Sequence, residues 1–263
     1  MNEEAIGFFD SGVGGLSVWR EVIELMPDES TIYLADSAHA PYGKRNGKEI
    51  LRRTQKNTER LLEKNVKLIV VACNTATAVA IQHLRTSYKV PFIGIEPAIK
   101  PAALQTRNCK VAVLATQGTL SSTLFAQTAQ RFSQSTALFI REGKGLVEQV
   151  EKNALHTAET KALLHAQLKP IAEKRIDFLV LGCTHYPFLK EEMQKIVGPN
   201  VEILDTGKPV ARQTKWILMQ RKGLNTNSKR AKHSIFTNGD TGVITQLTQA
   251  FRPPQTQIKY LHF

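Results

Sequence analysis

The chain has 263 residues, with 35 lysines and arginines against 23 aspartates and glutamates, a formal net charge of +12, and a composition 42% hydrophobic and 22% charged. That balance excludes a disordered chain, and the length suffices for one large or two small domains with no disulfide needed to hold the core. Its three cysteines, at 73, 109 and 183, are too widely spaced for a zinc motif; with no membrane-length apolar run and no secretory signal in MNEEAIGFFDSG, a cytoplasmic, reducing location is expected.

Along the chain, short apolar runs alternate with amphipathic stretches. Residues 5–9 (AIGFF), 31–35 (TIYLA), 67–72 (KLIVVA) and 91–95 (PFIGI) predict buried strands, with helices at 14–26, 48–64 and 75–87 between them. The second half repeats the order. A strand at 110–115 runs into a TQGTLSS turn and a helix, TALFI (136–140) echoes TIYLA, a helix at 157–174 leads to FLVLG, and VEILD follows. LIVVA-Cys73-Asn74-Thr75 lies over FLVLG-Cys183-Thr184-His185, and four such matches at an offset of 105–110 residues predict two similar units. After Asp205, a helix (209–220), a strand (233–237), a helix (241–251) and a strand (257–262) are expected to return to the first unit. The fold class is therefore α/β, with two similar doubly wound, parallel-sheet domains of flavodoxin-like pattern. Residues 1–97 plus 208–263 would form the first, with Cys73, and 98–207 the second, with Cys183.

In such sheets a ligand sits beyond the carboxyl ends of the strands. There the sequence puts Asp10-Ser11-Gly12-Val13-Gly14-Gly15, then Asp36-Ser37 and His39-Ala40-Pro41-Tyr42-Gly43, then the two cysteine turns. The glycines fit neither GxGxxG nor a P-loop, so no nucleotide is expected. Instead they should let the backbone turn into a helix whose N–H groups hold an anion such as a carboxylate. Asp36 and His39 read as turn and capping residues, and Tyr186 and Pro187 as shaping a turn. Each central cysteine should stand at the N-terminal turn of a helix, where exposed N–H groups lower a thiol pKa. Cys109, opening a strand after a polar turn, has no such setting. Two thiols at equivalent points of a duplicated unit suit a redox pair or a two-base proton transfer. In the second case one thiolate takes a proton from one face of a carbon and the opposing thiol delivers one to the other, inverting the centre. The developing carbanion charge would need positioned donors, and Asn74, Thr75, Thr184 and backbone N–H groups are candidates.

DSGVGGLSV, DSAHAPYG, VVACNTATA and LGCTHYPFL, in this order and spacing, resemble the glutamate racemases of the aspartate/glutamate racemase superfamily over nearly the whole chain. The resemblance implies pseudo-twofold domains with the site between them, a homodimer, and cofactor-independent interconversion of L- and D-glutamate, the latter for peptidoglycan. It implies that Cys73 acts on the D-enantiomer and Cys183 on the L-enantiomer. Asp10 and Ser11 would hold the ammonium group, Asp10 also assisting Cys73. Tyr42 and Gly43 would bind a carboxylate through backbone N–H groups; Asn74, Thr75 and Thr184 would bind carboxylate; His185 would assist Cys183. Glu148, in GLVEQV, would be the supporting acid near the second thiol, and Thr116 and Thr119 would add hydroxyls.

A racemase of aspartate or a hydantoin is the nearest alternative. A different class, nucleic-acid binding, is suggested by the segment from Lys208 to Phe263, where ten basic residues face one acid and nine of the twelve net charges lie. Only Lys229, Arg230 and Lys232 cluster, with no aromatic platform or helix-turn-helix, and a solvated basic face is the simpler reading.

Overall fold

The structure is a computed structural model, and it describes residues 3–225 and 231–263. Strands β1 (Ile6–Asp10), β2 (Thr31–Ala35), β3 (Leu68–Val71) and β4 (Phe92–Ile93) come first, then β5 (Lys110–Ala115), β6 (Ala137–Glu142), β7 (Phe178–Gly182) and β8 (Glu202–Leu204), and finally β9 (His233–Thr237) and β10 (Gln257–Tyr260). They build a six-stranded sheet in the order β10-β9-β2-β1-β3-β4 and a four-stranded sheet in the order β6-β5-β7-β8. All the pairings are parallel.

The two sheets share a plan. Phe8 of β1 stands opposite Tyr33 of β2 and Val70 of β3, and Val113 of β5 stands opposite Ile140 of β6 and Val180 of β7. In each sheet the first strand is flanked by the second and third, with the fourth outside the third. The strand order therefore reverses beside β1 and beside β5, where parallel sheets open a crevice at their carboxyl ends. β9 and β10 extend the first sheet beyond β2.

The helices are α1 (Leu16–Leu25), α2 (Gly47–Leu62), α3 (Asn74–Ser87), α4 (Ile99–Gln105), α5 (Gln117–Leu120), α6 (Thr123–Phe132), α7 (Leu146–Glu151), α8 (Ala158–Ala172), α9 (Lys190–Val197), α10 (Gly207–Gln220) and α11 (Thr241–Thr248). β1, β3 and β7 are buried along their whole length, which is why they read as unbroken apolar runs rather than alternating ones. Alternate residues point to opposite layers. Phe9, Ile69 and Val71 pack with Ile50 and Leu61 of α2 and Leu84 of α3. Phe8 and Val70 face the other way, into a cluster with Trp19 of α1, Leu218 of α10, and Leu114 and Leu181 of the second sheet. One apolar layer thus runs from sheet to sheet, each buried Leu or Ile in it contributing roughly 1.5–3 kcal/mol. The far face of the second sheet, through Val111, Val113 and Val180, is covered by Ile99 of α4 and Phe125 of α6.

β6 departs from its counterpart β2: it is largely exposed, because it is the sheet edge, whereas β9 covers β2. Among the described residues no helix is long and apolar enough to cross a membrane. Of the clustered cations, Lys229 and Arg230 lie outside the described residues, and Lys232 is exposed beside the start of β9.

Candidate active site

At the carboxyl ends of both sheets lies a small, tightly closed pocket. Ser11, Tyr42, Gly43, Cys73, Asn74 and Thr75 line it from the six-stranded side, and Thr116, Val147, Cys183, Thr184 and His185 from the other. Cys73 and Cys183 are both buried and both free thiols, while Cys109 is exposed and elsewhere.

Cys73 is the N-cap of α3: its Sγ accepts a hydrogen bond from the Ala76 N–H at 3.4 Å and donates to Ser11 Oγ at 3.8 Å. The expected lowering of its pKa is corrected by the structure. Burial, and then the Asp10 carboxylate, push the thiol well above its ordinary value, outweighing the Ala76 N–H and Ser11. Asp10, at the end of β1, is fully buried. Its oxygens accept from the Ser11 and Gly15 N–H groups, each at 2.7 Å, and from Thr184 Oγ1 at 3.3 Å. Burial holds its carboxyl above the usual value, although the neighbouring His185 and the Gly15 N–H pull it down.

Cys183 is not at the start of an α-helix. β7 ends at Gly182, a 3₁₀ turn spans Tyr186–Leu189, and α9 begins only at Lys190. Its positive partner is a side chain instead: His185 Nδ1 lies 3.7 Å from Cys183 Sγ, and His185 Nε2 lies 2.6 Å from Glu151 Oε1. Burial alone would keep this imidazole neutral, but the hydrogen bonds to Cys183 and Glu151 overcome it and raise its pKa well above the ordinary value.

The acid that meets His185 is Glu151, not the expected Glu148. α7 brings both near the cleft one turn apart, but the Glu148 carboxylate reaches outward to Lys44, whereas Glu151 turns in to His185. The glycine run is also used differently from expectation. A Cβ on Gly12 would sit 1.8 Å from Glu151 Oε1, and one on Gly14 would sit 2.2 Å from His185 Nδ1, so these glycines clear space for the acid and the imidazole. The N–H groups of Val13 and Gly15 do hold anions, but the chain's own: Val13 N–H donates to Glu151 Oε1 at 2.8 Å and Gly15 N–H to Asp10.

Asp36 is more than a turn residue. Buried after β2, it accepts from Tyr42 Oη at 2.5 Å and Asn238 Nδ2 at 2.6 Å, and lies 2.6 Å from His39 Nδ1. This hub fixes the segment whose Tyr42 and Gly43 form the cavity wall. Sequence reasoning missed Glu151, Asp36 and Asn238; the acid at the end of GLVEQVE was the one available signal. The hydroxyls of Thr75, Thr116 and Thr119 form a triangle with edges of 3.0, 3.3 and 3.1 Å, tying α3 to α5. Thr119 thus acts through its neighbours, while Asn74 Nδ2 is buried with no hydrogen-bond partner among the described residues.

The model of the family described as Asp/Glu/Hydantoin racemase matches residues 14–214. The glutamate racemase of Pseudomonas paraeruginosa is 48% identical over 217 residues, 82% of either chain. Glutamate racemase isoform RacE1 from Bacillus anthracis superposes with a TM-score of 0.88 at 30% identity, covering 100% of this chain and 99% of that one. Escherichia coli glutamate racemase, solved in complex with L-glutamate and the activator UDP-MurNAc-ala, gives a TM-score of 0.85 at 30% identity, with 99% and 100% covered.

Proposed function

The chain belongs to the Asp/Glu/Hydantoin racemase family, and on that premise we propose that it interconverts L- and D-glutamate by proton transfer between two cysteines, with no cofactor. The observation that carries this reading is that two buried thiols, one from each sheet, line a single cavity, each with its own acid–base partners. The glutamate bound to the E. coli relative supports the choice of substrate.

The environments of the two thiols differ in a useful way. An imidazolium 3.7 Å from Cys183 Sγ is the counter-charge a thiolate needs, and Glu151 keeps that imidazolium charged. Cys73, pushed up by burial, keeps its proton. Cys183 is then the base toward the L-enantiomer and Cys73 the acid that reprotonates the opposite face. For the D-enantiomer the roles exchange, and the raised Asp10 carboxyl is the group that shares the Cys73 proton. Asp10 and Ser11 hold the ammonium group. The N–H groups of Tyr42 and Gly43, with Asn74, Thr75 and Thr184, hold carboxylates, and Thr116 and Thr119 brace Thr75. These donors stabilise charge developing at Cα in a site shielded from water.

The same reading takes residues 1–97 plus 208–263 and 98–207 as two domains closing on the substrate. It has the protein act as a cytoplasmic homodimer supplying D-glutamate for peptidoglycan. The test is incubation with either enantiomer in D₂O without added cofactor. Deuterium at Cα and loss of chirality are expected, and retained L-configuration with folded protein would overturn the reading. Aspartate in the same assay separates the nearest alternative. Cys73→Ala and Cys183→Ala should abolish turnover, and Cys109→Ala should not.

A further inference from the structure

We propose that Lys44 and Glu148 form a latch operated by the substrate's own carboxylate: an incoming dicarboxylate displaces Glu148 from Lys44 at the mouth of the cleft. This rests on the glutamate reading above. Lys44 closes the short turn Tyr42–Lys44, whose other residues form the cavity wall, and its ammonium group crosses to Glu148 on α7, the helix that also carries Glu151. Among the ion pairs between described residues, this is the one joining an element beside the six-stranded sheet to one beside the four-stranded sheet. The other polar links across the cleft are hydrogen bonds, among them Val13 to Glu151, Thr184 to Asp10, Ser17 to the Thr184 carbonyl, and Thr75 to Thr116 and Thr119.

The pair stands on the way in. Lys44 and Glu148 line a second, outer pocket that shares Pro41, Gly43, Thr116 and Val147 with the inner one. The inner lining includes no lysine or arginine, and its one cationic side chain, His185, is engaged by Glu151. A substrate with two carboxylates and one ammonium group therefore meets Lys44 before the neutral donors inside. Lys44 is 68% exposed and Glu148 29%, so the pair is a surface one that opens at little cost. Glu148 is a competent competitor for Lys44: although burial works against it, the hydrogen bond from Lys44 holds its carboxyl below the usual value.

The experiment is steady-state racemisation of glutamate at low and high ionic strength by the wild type, Lys44→Gln, Lys44→Arg and Glu148→Gln. Lys44→Gln should raise KM roughly tenfold at low salt and flatten its salt dependence, with Lys44→Arg restoring most of both. Glu148→Gln should lower KM severalfold, because the competing carboxylate is gone. A pair that merely clamps the cleft would shift KM in the same direction in both variants. That result, or wild-type KM and salt dependence in Lys44→Gln, would overturn the latch alone. A wild type inert toward both enantiomers would overturn the glutamate reading and the latch with it.

Discussion

Glu151 Oε1 lies 2.6 Å from His185 Nε2 and 2.8 Å from the Val13 nitrogen, so a single oxygen joins the imidazole behind one thiol to the loop that follows Asp10, behind the other. The Cys73 and Cys183 sides of the cavity are thus tied together by one side chain. Glu151→Gln should drop turnover on the order of 10²-fold, at the low end for loss of an acid–base group. It should also return the His185 titration toward the ordinary histidine range, which imidazole NMR shifts would follow. Glu148→Gln should leave that titration near its wild-type position. Equal displacement by both variants would refute the assignment.

Both thiols could be located from sequence because a buried parallel strand followed by a polar turn is a local pattern, and its recurrence at Cys73 and Cys183 marked the duplication. What surrounds each thiol could not be read so directly. A cysteine followed by hydroxyls looks the same whether it caps α3, as Cys73 does, or leads into a 3₁₀ turn, as Cys183 does. Glu148 and Glu151 are a turn apart on one short helix, and only the packing of α7 against the glycine loop decides which of them meets His185. Asp36 and Asn238 are 202 residues apart, and the pairing of β9 with β2 brings them together. The exposure of β6 follows from its edge position, which its composition does not announce.

The Asp36 hub should govern binding more than chemistry. Asp36→Ala frees the hydroxyl of Tyr42 and the amide of Asn238 from a common acceptor, which loosens the wall at Gly43. Leaving buried polar groups unpaired costs roughly 1–3 kcal/mol each, so Tm should fall by several degrees. KM should rise more than kcat falls, and Asp36→Asn should recover part of it. Steady-state kinetics with a thermal scan on the same samples would check both.

Two glycines make opposite predictions. At Gly14 an added methyl would overlap His185, which cannot retreat without losing Glu151 or Cys183, so Gly14→Ala should all but eliminate racemisation. At Gly47, the first residue of α2, the nearest atom an added Cβ meets is Val79 Cγ1 at 4.0 Å. Gly47→Ala should therefore stabilise the protein by about 0.5 kcal/mol with activity retained. Urea unfolding midpoints beside turnover numbers would separate the two. Activity retained in Gly14→Ala would contradict the close approach.

His233 gives the fold a pH dependence of its own. The indole Nε1 of Trp19 donates to Thr31 Oγ1 at 2.8 Å, and the same oxygen lies 2.9 Å from His233 Nδ1, so the imidazole is held inside a buried cluster with no acidic partner among the described residues. Burial accordingly lowers the His233 pKa to about 4. Because the folded value lies below the unfolded one of roughly 6.5, the unfolded chain binds the extra proton first as pH falls. The contribution of a neutral His233 is thus intact above roughly pH 6.5 and is lost progressively down to about pH 4, below which both states are protonated. Chemical denaturation followed through Trp19 fluorescence should show the wild type losing stability across that window relative to His233→Gln. Subtracting the variant removes the opposite trend of His185, whose raised pKa stabilises the fold at low pH and loses that effect as pH rises through its folded value. If the two unfolding curves ran parallel from pH 7 to pH 4, the neutral hydrogen-bonded imidazole would be ruled out.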